Sequence, residues 1–110
     1  MKPLFVPLNA WAYDQFEAGT KKDELRLYGP RWNEKTCIPE RPAILSRGYG
    51  KKNRMSGTIS AFKKVHGSQL NSAYQEAVLR VYGTLDIDVA VISIADLEKI
   101  NIRTNHEYIP

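Results

Sequence analysis

One cysteine, two histidines and no long apolar run set the first limits on this 110-residue chain. A lone Cys37 cannot close an internal disulfide and does not suggest a thiolate metal cluster. His66 and His106 lack the partner motif that a metal site needs, and neither stands in a recognisable relation to Cys37. Cys37 therefore reads as an ordinary loop thiol, and neither a metal nor a cofactor is expected. The longest apolar run, Val89 to Ile94 with Ser93 interrupting, is far too short to span a bilayer. Met1-Lys2-Pro3-Leu4-Phe5 passes straight into a strand-like segment without the apolar core of a signal peptide. A cytoplasmic protein with no membrane partner is the expectation. Oligomeric state leaves no signature in the sequence.

What is present is ordinary in amount and uneven in placement. A hydrophobic fraction of 43% against 25% charged residues excludes global disorder and suits one globular domain, residues 1–110, large enough to bury its own core. The net charge is only +4, but residues 19–54 hold ten Lys/Arg against four Asp/Glu, a local +6 that leaves the remainder at −2. Such a concentration fits an anionic ligand, although a solvated basic surface has the same composition. Tyr28, Trp32 and Tyr49 are interleaved with these cations, and flat rings stack on bases.

Taken in order, Leu4–Leu8 reads as a strand near an edge because of Pro7. Asn9 reads as the N-cap of a helix over Ala10–Ala18, with Ala12 and Phe16 facing inward, Trp11 and Ala18 beside them, and Gly19 at the C-cap. Asp23 to Tyr28 alternates with period two, which predicts Leu25 and Leu27 in the core and Glu24, Arg26 and Tyr28 on the other face or toward a cleft. Residues 29–42, with Pro30, Pro39 and Pro42, form an irregular connection. Ala43–Arg47 and Met55–Phe62 read as strands joined by a flexible basic tip, Gly48 to Arg54, with Gly57 a bulge or close-packing point. Ser68–Tyr82 shows a helical stripe through Leu70, Ala73, Tyr74, Ala77, Val78 and Val81, stopped by Gly83. Asp88–Ile94 is apolar on both sides and so belongs in the middle of the sheet. Ala95–Ile100 either continues it through a bulge or makes a helical turn. Residues 101–110 supply a last edge strand or fray.

The sharpest constellation is Lys21, Glu24 and Arg26. Two cations at a cleft hold a phosphate or a base carbonyl, and a carboxylate between them accepts from a base amino group or serves as general base. The same three residues also make an ordinary salt bridge of little energetic worth. Gly48-Tyr49-Gly50-Lys51 lacks the spacing of a P-loop, yet its amides, Lys51, Lys52 and Arg54 suit a phosphate backbone. His66, beside Gly67, reads as a turn residue.

Gly19-x-Lys21-x-x-Glu24-x-Arg26 matches in full the GxKxxExR signature of the ASCH family, whose fold is similar to the PUA domain. The resemblance extends from the Leu8 strand end through Tyr28, Pro30 and Trp32 to the Gly48–Lys51 hairpin. It implies an α+β fold: a small, mixed, PUA-like β-barrel with two flanking helices and a cleft lined by the motif. It also implies an RNA, nucleotide or nucleoside ligand at Lys21, Glu24 and Arg26, to which the residues themselves add Tyr28, Trp32 or Tyr49 as a stacking face and Lys51 and Arg54 as phosphate contacts. Some bacterial family members look like ribonucleases or N4-acetylcytidine amidohydrolases, which would make Lys21 and Glu24 an acid/base pair. The amidohydrolase-like members carry a threonine where this chain has Glu24, so ligand binding carries over further than catalysis.

Overall fold

The computed structural model describes residues 1–100. Its elements in chain order are β1 (Leu4–Leu8), α1 (Ala10–Ala18), β2 (Asp23–Leu27), β3 (Pro42–Arg47), β4 (Arg54–His66), a 3-10 turn (Gly67–Gln69), α2 (Ser72–Tyr82) and β5 (Asp88–Lys99). The strands form one sheet in the order β1-β3-β4-β5-β2. Only β1 and β3 run parallel, with Leu4 opposite Ala43; the other pairs are antiparallel. The sheet curls into a half-barrel, so the architecture is α+β and mixed, as the resemblance implies. Residues 101–110, expected to supply a last edge strand or fray and holding His106, lie outside the described residues.

Period-two burial explains how the sheet divides two cores. Leu4, Val6 and Leu8 of β1, Ala43 and Leu45 of β3, and Ala90, Ile92 and Ile94 of β5 face the inner core. Ala12, Tyr13 and Phe16 of α1 close it, with Trp32 and Cys37 from the long connection. On the opposite face of β5, Val89 and Val91 pack with Val78 of α2, and Leu25, Val65 and Leu70 join them. Central placement of β5, expected from its two apolar faces, is what the strand order gives. Cys37 is wholly buried, and burial pushes its thiol above the ordinary range.

Caps set the helix ends. Asn9 Oδ1 accepts from Ala12 N at 2.7 Å, and Gly19 ends α1 with a left-handed φ of 80°. The second helix starts later than its pattern suggested, at Ser72 rather than Ser68. Asn71 Oδ1 accepts from Tyr74 N at 2.8 Å, while Ser68 belongs to the preceding 3-10 turn. His66 caps that turn, its Nδ1 accepting from Ser68 N, and Nε2 lies 3.3 Å from Asp86. Strand β5 runs through Ala95 to Lys99 by means of a bulge. Asp96 and Leu97 together face Gly57, and Asp96 takes a φ of 56°. A Cβ on Gly57 would stand 2.8 Å from Leu97 Cδ2 and 3.0 Å from the Ala95 carbonyl oxygen, which is the close approach the glycine permits.

Two packing expectations are corrected. On β2 it is Glu24 that is buried, whereas Leu25 packs under α2 in the outer core and Leu27 is exposed. Alternation predicts two faces but not which one turns inward; an ion-paired carboxylate takes the inner side here. The helical stripes also shift. Trp11, Ala18, Ala77 and Val81 are exposed, and Val78 alone on α2 is fully buried.

Candidate functional site

Three backbone decisions bring the motif together. Gly19 turns the chain out of α1 in the left-handed conformation, so Lys21 comes back beside Phe16, its Nζ 5.3 Å from the ring centroid. Pairing of β2 with β5 then places Glu24 opposite Ile92 and Arg26 opposite Ala90, both on the inner face. Lys21 Nζ donates to the Asp23 carbonyl at 2.6 Å and lies 3.4 Å from Glu24 Oε1. Arg26 Nε donates to Glu24 Oε2 at 2.6 Å. The three side chains remain 20%, 11% and 18% exposed respectively, a sunken but reachable group.

Arg26 does more than pair. Its Nη2 donates to the Pro7 carbonyl, so one guanidinium spans from β2 to β1, the two edges of the half-barrel. Its plane is backed by Trp32, 4.7 Å from guanidinium carbon to ring centroid, and Arg31 stands 5.0 Å from the same ring. Asp23 is held in turn. Ser93 Oγ donates to its Oδ1 at 2.7 Å and Tyr74 Oη to its Oδ2 at 2.6 Å. Burial, aided by that hydrogen bond and the Asp23 charge, pushes the Tyr74 hydroxyl up to about 12.

Lys21, Glu24 and Arg26 line a cleft of ≈ 350 Å³ between α1 and α2, walled by Trp11, Ala77, Val81 and Tyr82. Asn9 and Arg26 also border a second basin of ≈ 330 Å³, which reaches Gly48 and Tyr49 on the β3–β4 loop. A third, of ≈ 610 Å³, lies on the far side of Lys21 against Ser93 and Leu97. The structure thus gathers Lys21, Glu24 and Arg26 and sets Tyr49 one basin away.

The remaining sequence-selected residues stand elsewhere. Trp32 is only 7% exposed and supports Arg26 from beneath, which leaves no open face for a base. Tyr28 donates to Glu34, which raises the phenol above its ordinary range and lowers the carboxylate below its own. Its ring meets Phe62 at 6.4 Å, with Lys64 Nζ 4.4 Å above the centroid. Arg54 braces the loop, donating to the Gly50 and Tyr49 carbonyls, and stacks on Phe5. Lys51 is exposed on the same loop. Trp11, Asn9 and Val81 are cleft residues that sequence reasoning missed. Asn9 is explained fully by its capping bond, and Trp11 and Val81 look like core residues in an amphipathic pattern. The one available signal was the short α1, whose inner stripe is already filled by Ala12, Tyr13 and Phe16.

Among the described residues no group of His, Cys, Asp and Glu is arranged to hold a metal ion, and no helix is long and apolar enough to cross a membrane. No protein-family model and no curated protein sequence matches this chain. Solved structures do. A crystal structure of ASCH from Zymomonas mobilis matches 96% of this chain and 77% of its own, with a TM-score of 0.61 and 15% identity. Two single-residue mutants of the same protein match equally broadly, over 96% of this chain and 78% and 79% of theirs, with TM-scores of 0.64 and 0.60 and identities of 16% and 15%. At such identity the likeness speaks for the backbone, and the strand order, the two helices and the half-barrel lead to one conclusion: this chain has the ASCH-domain fold.

Proposed function

We propose that this chain binds RNA or a nucleotide in the cleft floored by Lys21, Glu24 and Arg26. The observation that carries this reading is the convergence of the three side chains on one cleft. Glu24 is already paired on both oxygens, so what the floor offers a ligand is mainly donors: the remaining ammonium protons of Lys21 and the free edge of Arg26. Donors in a sunken, positive setting suit phosphate oxygens and base carbonyls. The basin beside Arg26 reaches the loop that bears Lys51 and Arg54, two further cations of the +6 segment.

The test is an anisotropy titration of labelled single-stranded RNA across a salt series. With two or three phosphates neutralised, log K should fall with log[salt] at a slope of about −1.4 to −2.1. Lys21→Ala should weaken binding and flatten that slope while the protein stays folded. Binding that is indifferent to salt and to Lys21→Ala overturns the reading.

A second reading is a hydrolase acting on RNA or a modified nucleoside, by ribonuclease or N4-acetylcytidine amidohydrolase chemistry. It draws on Lys21 and Glu24 standing side by side in the cleft as an ion pair, Nζ 3.4 Å from Oε1. Turnover of single-stranded RNA or acetylated cytidine by wild type, lost in both Lys21→Ala and Glu24→Ala, would favour it. Absence of turnover in wild type, or turnover in both variants equal to that of wild type, removes it.

A further inference from the structure

We infer that the cleft is one part of a groove that takes single-stranded RNA as two or more consecutive nucleotides, with one base stacked on Trp11, a phosphate at Arg26 and the next base at Tyr49. This rests on the nucleic-acid reading above and specifies how the ligand lies.

The first support is the order of groups along the groove. The basins of ≈ 350 and ≈ 330 Å³ share Asn9 and Arg26, so they meet at the guanidinium. Each lies near the lower end of small-ligand site sizes, about 300 Å³ and upward, and together they exceed what a single base requires. Each carries one strongly exposed aromatic ring, Trp11 at 66% and Tyr49 at 76%. Aromatic, cation, aromatic is the sequence of chemistries that base, phosphate, base presents along a single strand.

The second support is what Arg26 has left to give. Nε is committed to Glu24 and Nη2 to Pro7, and among the described residues Nη1 makes no hydrogen bond. The guanidinium is fixed by Trp32 behind it, so that its spare donors serve a ligand without first being ordered. A phosphate oxygen fits this position, since the carboxylate partner already occupies the other edge.

The third support is the form of the Trp11 wall. Trp11 stands on α1 and Val81, 72% exposed, on α2, and both line the cleft above Lys21 and Glu24. An indole opposite a branched aliphatic side chain makes a slot for a flat ring, and Lys21 below it supplies a donor for a base carbonyl. The charged residues lining the two basins are Lys21, Arg26 and Glu24, a net positive lining, and Lys51 is exposed on the loop that bears Tyr49, which argues for an anionic strand as the occupant in place of a second copy of this chain.

The experiment uses the full chain with a uridine mononucleotide, its dinucleotide and a fluorescein-labelled hexamer. Trp11→Ala should weaken hexamer binding by about 5- to 150-fold, the range set by one base–aromatic stack. Trp11→Phe, which keeps a ring, should retain most of the affinity. Ligand-dependent quenching of intrinsic tryptophan emission should shrink in Trp11→Phe, the remainder coming from Trp32 behind Arg26. Tyr49→Ala should weaken the dinucleotide and hexamer and leave the mononucleotide unchanged. Hexamer affinity unchanged in Trp11→Ala but reduced in Lys21→Ala overturns the slot and leaves the nucleic-acid reading standing. A dinucleotide bound no more tightly than the mononucleotide overturns the two-unit groove. So does a wild-type dimer that Trp11→Ala dissociates without loss of RNA affinity. Wild type that binds none of the three at low salt overturns both readings.

Discussion

Each carboxylate oxygen of Glu24 faces a cation, Lys21 at Oε1 and Arg26 at Oε2. Exchange for glutamine keeps the shape but turns an NH2 group toward one of the two cations. Glu24→Gln should cost about 1–3 kcal/mol, the price of an unsatisfied polar contact away from water. The check is a thermal melt, with a drop of several degrees expected. If the motif were only a charged turn on the surface, the melting temperature would barely move. Arg26→Lys is no milder. An ammonium cannot reach Glu24 and the Pro7 carbonyl in one plane or lie flat against Trp32. It should destabilise the fold by about 1–2 kcal/mol in a urea titration, with m unchanged.

At the scale of elements, bulge and glycine act as one device. Asp96 and Leu97 oppose the single residue Gly57, and the side chain of Leu97 occupies the space a Cβ would need. The leucine tip can swing aside from a new methyl group; the Ala95 carbonyl oxygen at 3.0 Å belongs to the sheet and cannot. Gly57→Ala should therefore lose about 1–3 kcal/mol of stability, measured by denaturant titration. Edge strand β2 is tied to α2 by two phenols, Tyr74 to Asp23 and Tyr82 accepting from Leu27 N at 3.1 Å. Local grammar made much of this level legible. Asn9, Gly19 and Gly83 mark helix ends through their own backbone needs, and both-sided apolarity marks β5 as central. What stayed hidden depends on partners distant in sequence. Nothing local tells Glu24 to face inward; that follows from Arg26 reaching Pro7, 19 residues away. Leu70 was drawn into the helical stripe for a similar reason, since it packs in the outer core from outside α2 and so masks the cap at Asn71.

For the molecule as a whole, titration should shape the alkaline limb of stability. The Tyr74 hydroxyl ionises at about 12 in the folded state, against about 10 in an unfolded chain. Its pKa is raised on folding, so its contribution is complete below about pH 10 and disappears as pH climbs toward 12. Tyr13, by burial, and Tyr28, by its bond to Glu34, are raised as well and act in the same direction. Melting temperature should fall through this window, and Tyr74→Phe should shallow the fall without abolishing it. The candidate site was legible at this scale as a charge imbalance and a motif. The groove itself was not, because it forms between helices whose exposed residues imitate core residues in the sequence.

The sheet order also has a consequence in time. The residues of β2, complete by position 27, hydrogen-bond to Val89–Ser93, the last strand in the described chain. A chain made from its N-terminus thus carries Lys21, Glu24 and Arg26 out of the ribosome long before the strand that seats them. The motif is translated well ahead of β5, yet it can become a site only once that strand has also emerged.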